Sequence, residues 1–342
     1  MSQIQIVRAG HSSFAEYWNE LMGAVDGNPQ YFEDFTAFFA SATGDIVTYD
    51  FSRVEIFNNR PIAGVRVHLA QKRDGGEALN YFGLPGYWIA DEGSPLLEAA
   101  QSAIEESAAS DGLRATIERS NVEISLSLGM PWVKRPSKTI RAILQGVDQI
   151  TPSFDLYLDL NRALPRWPKS VRAAQKNADA VGLVTKVVDF ESGVVECERG
   201  MRGLKAMHYA SAGRLTRPDE SWKIQLDNLL AGKAFLALAE KSGEIIGGSY
   251  FIRTGKSSYY DTSVVEAEHR GLGLGHVCML EAIGYAKGAQ LGSFWIGSQF
   301  SQSTIGCSEK QNQIEHFKSY FGKELDVCIL ASRQPENSVG TA

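Results

Sequence analysis

EHRGLGLGHV, Glu268 to Val277, is the most informative run in this chain. It follows a strand-like stretch, SSYYDTSVV (Ser257 to Val265), and opens a helix-length apolar segment, VCMLEAIGYAKG (Val277 to Gly288). Gly271, Gly273 and Gly275 remove Cβ atoms from a tight turn, so that successive main-chain N–H groups after Val265 can converge on an anion. A helix starting there adds unpaired N–H groups and the positive end of its dipole, and Arg270 adds a full charge. Together these make a pyrophosphate cradle, although a helix start that only needs flexible residues carries the same letters. The glycine spacing is too narrow for the dinucleotide fingerprint, and no GxxxxGK[ST] run is present.

At 342 residues, with 44% hydrophobic and 22% charged side chains, the chain has room for about two globular domains. No apolar run reaches the roughly 18 residues that span a bilayer. The opening MSQIQIVRAGHSS lacks the apolar core of a signal peptide, so a cytoplasmic protein is expected. Cys197, Cys278, Cys307 and Cys328 form no CxxC pair, and His208, His269, His276 and His316 have no ligand spacing; neither a disulfide framework nor a metal site is expected. A net charge of −6 gives no general attraction to nucleic acid or to anionic membrane. Between Lys134 and Lys176, however, basic residues outnumber Asp148, Asp155 and Asp159, a local excess suited to phosphate contact.

Periodicity outlines the rest. Ser12 to Val25 has the three-and-four spacing of an amphipathic helix, and a second helical stretch covers Tyr31 to Ser41. Val54 to Phe57 and Ile62 to Ala70, separated by Asn58-Asn59-Arg60-Pro61, predict a hairpin. Asn80 to Ile89 predicts a strand broken at Pro85-Gly86, Pro95 to Ser110 a helix, and Leu113 to Arg119 and Val122 to Leu128 two strands. After Pro131 and Pro136 the pattern restarts with the alternating strand FDLYLDL, Phe154 to Leu160. In the basic helix Trp167 to Ala180, Lys169, Arg172 and Lys176 share one face, either solvated or in contact with phosphates. A strand at Leu183 to Asp189, helices at Gly193 to Ser211 and Pro218 to Leu230, and the strand-rich run Phe235 to Ile252 lead to the glycine turn. Beyond it come a strand at Leu291 to Phe300, a helix at Glu309 to Gly322 and a last strand at Glu324 to Leu330.

The layout KSGEIIG (Lys241 to Gly247) repeats NNRPIAG (Asn58 to Gly64) at an offset of 183 residues, and aromatic strands follow at Tyr259-Tyr260 and Tyr81-Phe82. A repeat of this length predicts two copies of one supersecondary unit. The expected class is therefore α/β with mixed sheets in tandem domains, 1–150 and 151–332, followed by a polar tail, 333–342. Only the second copy carries RxxGxG.

Arg270 to Gly275 as RxxGxG, preceded by a hairpin and an aromatic strand, resembles the coenzyme A motif of the GNAT superfamily of N-acetyltransferases. The tandem layout, the basic segment Trp167 to Leu183 and the ending FKSYFGKEL (Phe317 to Leu325) resemble the FemAB-like transferases, which join two such folds. The resemblance implies GNAT-like domains and transfer of an acyl or aminoacyl group to an amine, from acyl-CoA or from aminoacyl-tRNA. It implies that Val265, Arg270, Gly271, Gly273 and Gly275 hold the donor, that Lys318 sits near the carbonyl under attack, and that Tyr320 lies where a tyrosine protonates the leaving thiolate. Lys318 also suits a helix C-terminal cap, and Tyr320 a packed core position.

Acyl transfer to an amine needs a general base, fixed donors for the developing oxyanion, and two reactants held together. Asp261, then Glu266, are the candidate bases, while Ser298 and Gln299 at the end of a strand are placed to orient a small-molecule amine acceptor. With tRNA as donor, Lys169, Arg172 and Lys176 would bind its phosphates. A copy that binds its ligand without turnover is the remaining reading. Acceptor identity and oligomeric state are not written in these motifs.

Overall fold

The computed structural model describes residues 5–335 apart from 74, 135, 137 and 300–308. It divides into a first unit that runs to Phe154 and resumes at Val327, and a second unit, Asp155–Asp326. Among the described residues no helix is long and apolar enough to cross a membrane.

The first unit contains β1 (Gln5–Arg8), α1 (Phe14–Ala24), α2 (Thr36–Thr43), β2 (Ile46–Asp50), β3 (Arg53–Phe57), β4 (Arg60–Arg66), β5 (His68–Gln71), β6 (Glu77–Asn80) and β7 (Gly86–Ala90). It continues through α3 (Leu97–Ser110), α4 (Leu113–Ile117), β8 (Val122–Gly129), α5 (Met130–Lys134) and α6 (Lys138–Gln145). Strand β9 (Gln149–Asp159) leaves this unit, and a last strand returns to pair antiparallel with β8 through Cys328–Arg333. Its sheet runs β1-β3-β4-β7-β8 with β2, β5 and β6 joined off this path, antiparallel except for the parallel pairs β7/β8 and β6/β8.

The second unit contains α7 (Lys169–Ala180), β10 (Val184–Val188), α8 (Val194–Ala212), α9 (Asp219–Leu230), β11 (Ala234–Lys241), β12 (Glu244–Arg253) and β13 (Ser257–Val265). Then come α10 (Leu274–Gly288), β14 (Ser293–Gln299), α11 (Glu309–Ser319) and the start of β15 (Glu324–Arg333). Strands β10, β11, β12 and β13 pair antiparallel in sequence order, and β13 pairs parallel with β14. Both faces of β11 are covered, which is why Ala234 to Ala239 are all buried. Phe235, Ala237 and Ala239 join the core formed with α10, while Leu236 and Leu238 meet α8 where Gly200 lets the helix approach.

The internal repeat is present in the backbone. Hairpin β3–β4 turns at Asn58-Asn59 and hairpin β11–β12 at Ser242-Gly243, all four residues at positive φ, as two-residue hairpin loops require. Each hairpin has one bulge, after Glu55 in the first and after Ala239 in the second. The registers therefore superpose at an offset of 184 rather than 183: Gly64 pairs with Val54 as Gly248 pairs with Leu238. Both glycines sit under a helix. A Cβ at Gly64 would stand 2.8 Å from Trp18 of α1, and one at Gly248 would stand 2.9 Å from Leu238 and 3.3 Å from Leu204 of α8.

Several expectations change. Leu113 to Ile117 form a helix instead of a strand, because Leu113, Thr116 and Ile117 are the buried positions, a three-and-four pattern. Asn80 to Ile89 is not one strand: β6 ends at Asn80, Tyr81 and Leu84 bridge a turn, and β7 starts at Gly86. The counterpart of β13 is accordingly β7, with Tyr87 and Trp88, and not the Tyr81-Phe82 turn. Arg333, assigned to the tail from sequence, closes β15. Residues 336–342 of that tail, like Cys307, lie outside the described residues.

Candidate active site

β13 ends at Val265, and the N–H of Glu266 still bonds to Ile246 O of β12 at 3.1 Å. Ala267–Leu272 then form a single 3-10 stretch, Gly273 turns left-handed at φ 71°, and α10 opens at Leu274, earlier than the Val277 expected from hydropathy. The N–H groups of His276 and Val277 return to Gly273 O. The first N–H groups of a helix have no acceptor within it, so the first turn of α10, from Leu274, presents donors at the positive end of a helix.

The glycines of this turn play different parts. A Cβ on Gly271 would meet nothing within 4 Å, and one on Gly275 would touch Phe317 at an ordinary 3.4 Å. Gly273 is constrained twice, by its positive φ and by Ala174 of α7, whose Cβ would lie 2.6 Å away. Its close approach is to a helix of the protein itself. Gly273→Ala is expected to cost about 1–3 kcal/mol in a denaturation midpoint, against little change for Gly271→Ala.

Strands β13 and β14 pair only from Ser257↔Ser293 to Tyr259↔Trp295, although β13 runs on to Val265 and β14 to Gln299, so the two part. On β13 the register against β12 skips Asp261, placing it at a bulge. On β14, Gly297 has φ 95°, and a Cβ there would be 3.0 Å from both Lys318 Nζ and the Tyr259 hydroxyl. Lys318 of α11 donates to Ser298 O at 3.2 Å, and Ser298 Oγ donates to buried Asp155 at 2.6 Å. Burial pushes the Lys318 pKa down, with Asp155 and Glu315 pulling the other way. Burial, with Asp155 and Asp261 nearby, holds the Tyr259 phenol well above its usual value, so it stays an O–H donor. The Asp261 carboxyl is pushed up by burial and partly restored by Thr262, Arg217 and Gln225. That is the direction that suits a carboxylate general base working near neutral pH.

Lys318, Ser298 and Asp261 thus come to the region where β13 and β14 part, and Asp155 and Tyr259 join them. Glu266 lies apart, 3.2 Å from His269 Nδ1, in the wall of a cavity of about 460 Å³ formed by Val265–Glu268 and one side of α8. The Tyr320 hydroxyl shares a 2.7 Å hydrogen bond with His316 Nε2, and its ring faces His276. Lys169, Arg172 and Lys176 are exposed on the outer face of α7, whose inner face, Val171, Ala174 and Ala178, is buried. The side chains of Arg270 and Gln299 lie outside the described residues.

In the first copy two N–H groups of the bend after β7 are capped by its own side chains. Asp91 Oδ1 accepts from Gly93 N at 2.9 Å, and Ser94 Oγ accepts from Leu96 N at 3.3 Å. Sequence reasoning missed Tyr259, Asp155, Arg217 and Gln225. The polar positions of the alternating FDLYLDL run were the available signal for Asp155; the others carry none.

Residues 205–310 match the acetyltransferase (GNAT) family. FemX is similar in structure at 11% identity, over 96% of this chain and 96% of that chain, with a TM-score of 0.64. L-PGS from Bacillus licheniformis is similar at 11% identity, over 88% of this chain and 87% of that one, with a TM-score of 0.52. No curated protein matches the sequence. The duplicated hairpin, the parted strands and the glycine turn ahead of α10 agree with these likenesses: residues 205–310 match the acetyltransferase (GNAT) family, and the chain has a tandem fold like that of FemX.

Proposed function

We propose that this protein is an N-acyltransferase that moves an acyl group from acyl-CoA directly to a small-molecule amine. The observation that carries the reading is the glycine turn that opens α10, whose first-turn N–H groups stand at the positive end of a helix in the unit that also holds Lys318 and Asp261. In this reading the first-turn amides hold the diphosphate of the donor, and Lys318 faces the carbonyl oxygen as it gains charge. Asp261 takes the proton from the attacking amine. Calorimetry with CoA tests it. Gly271→Glu adds a carboxylate beside the amides at a position where a side chain meets no neighbour, so CoA affinity should fall at least about tenfold with the melting temperature unchanged. Undetectable CoA binding to the unmodified protein, or an unaltered Kd in the variant, would overturn the reading.

The exposed cations of α7 favour a second donor, aminoacyl-tRNA. The inner face of their helix is seated on Gly273, so a polyanion held by Lys169, Arg172 and Lys176 would lie on the opposite face of the helix that flanks the turn. If tRNA is the donor, the slope of log K against log salt should become shallower by about two to three when all three cations are replaced by glutamine. An identical slope counts against it.

A further inference from the structure

Asp261 is the anion of a bridged charge pair. Arg217, in the segment between α8 and α9, stacks its guanidinium 3.5 Å from the centroid of a Trp222 ring. Its Nη2 donates to Gln225 Oε1 at 2.5 Å, and Gln225 Nε2 donates in turn to Asp261 Oδ2 at 2.9 Å. Thr262 Oγ1 donates to the same carboxylate oxygen at 2.8 Å. Gln225 is only 1% exposed, and its main-chain carbonyl accepts from the Tyr250 hydroxyl at 3.1 Å. Its amide cannot turn over, because that would set the NH₂ against the guanidinium and the oxygen against the carboxylate. The loop is pinned as well: the Tyr209 hydroxyl donates to Arg217 O at 3.2 Å, and Thr216 Oγ1 is 3.1 Å from His208 Nδ1.

A buried neutral spacer thus fixes a cation and an anion about one amide apart, both partly buried, with the anion at the bulge where β13 leaves β14. We propose that the acceptor is a small zwitterion, an amino acid whose carboxylate lies against Arg217 while its amine lies against Asp261. Burial outweighs attraction at both ends of the bridge, lowering the Arg217 pKa and raising that of Asp261, so a ligand of complementary polarity stabilises both charges. The proposal rests on the acyl-transfer reading above. The ammonium gives one proton to Asp261 and becomes nucleophilic. Its N–C bond forms as the C–S bond of the thioester breaks, and the second amine proton goes to the thiolate. Amide and free thiol leave, and Asp261 returns its proton to water.

The test is thiol release from acetyl-CoA by the full chain, with each amino acid compared with its carboxamide. At least one acid should exceed its amide by roughly 10–100-fold in kcat/KM, the worth of one hydrogen-bonded charge. Arg217→Gln should erase that preference without changing CoA affinity, and Arg217→Lys should restore part of it. Equal rates for acid and amide, a preference that survives in Arg217→Gln, or CoA binding with no amino acid accepted would each overturn the proposal and leave the donor reading standing. If CoA does not bind, the donor reading fails, and thermal shift decides the acceptor site alone: a shift with acids but not amides supports it, and no shift overturns it. The acid and amide comparison uses the unmodified protein, so it holds even where a variant fails to fold.

Discussion

Lys318→Met is expected to lower kcat by about 10²–10³-fold, the cost of losing one fixed donor to a developing oxyanion, with little change in donor KM. The amine reaches the carbonyl of Ser298 at the end of β14 and shares the space beside Gly297 with the Tyr259 hydroxyl. A helix-capping lysine would do neither, and its loss would leave kcat alone. Because burial depresses the Lys318 pKa, its cationic form is lost below the usual 10.5. Activity that needs this cation therefore falls as pH rises through the depressed value, and the alkaline limb should be missing from the profile of the methionine variant. A kcat within threefold of the unmodified protein would remove Lys318 from the chemistry.

The second large effect concerns stability in the first unit. Glu55 of β3 is 0% exposed, neither of its carboxylate oxygens has a protein partner, and burial pushes its pKa from 4.5 to about 7. Its counterpart across the repeat is Ala239, packed in the core with α10. The folded state binds more protons than the unfolded between about 4.5 and 7, so stability falls as pH rises through that window. The accumulated loss is about 3 kcal/mol above neutrality, at 1.36 kcal/mol per pKa unit. Glu55→Met, which keeps the volume and removes the charge, should raise the denaturation midpoint markedly at pH 8 and much less at pH 5. Equal gains at both pH values would mean that the carboxyl is not the source.

Local rules carried much of the fold. Turn residues flanked by β-prone runs marked both hairpins, alternate glycines marked the start of α10, and the three-and-four spacing marked α1 and α7. The expectation failed where short segments fit two periods, as at Leu113 to Ile117, where tertiary burial chose the helix. It slipped by one residue at Gly247-Gly248, since adjacent glycines look alike in sequence while only Gly248 lies against Leu204. The candidate site was half legible. Lys318, Asp261 and Ser298 were expected on the strength of a resemblance and of strand ends. The Arg217–Gln225–Asp261 bridge joins residues from the α8–α9 segment, from α9 and from β13, and no spacing rule spans such distances.

The matching bulges after Glu55 and Ala239 bear on how the two halves diverged. An extra residue in a hairpin fixes the direction in which its strands coil, and that direction sets where the overlying helix must land. The earlier copy caps its bend with Asp91 and Ser94 and lacks the RxxGxG run, yet it keeps this geometric obligation. Its side chains were free to change, even to the buried carboxyl of Glu55, so long as the kink and the glycine beneath the helix stayed in place. Ancestry in this molecule is written in backbone irregularities more durably than in its letters.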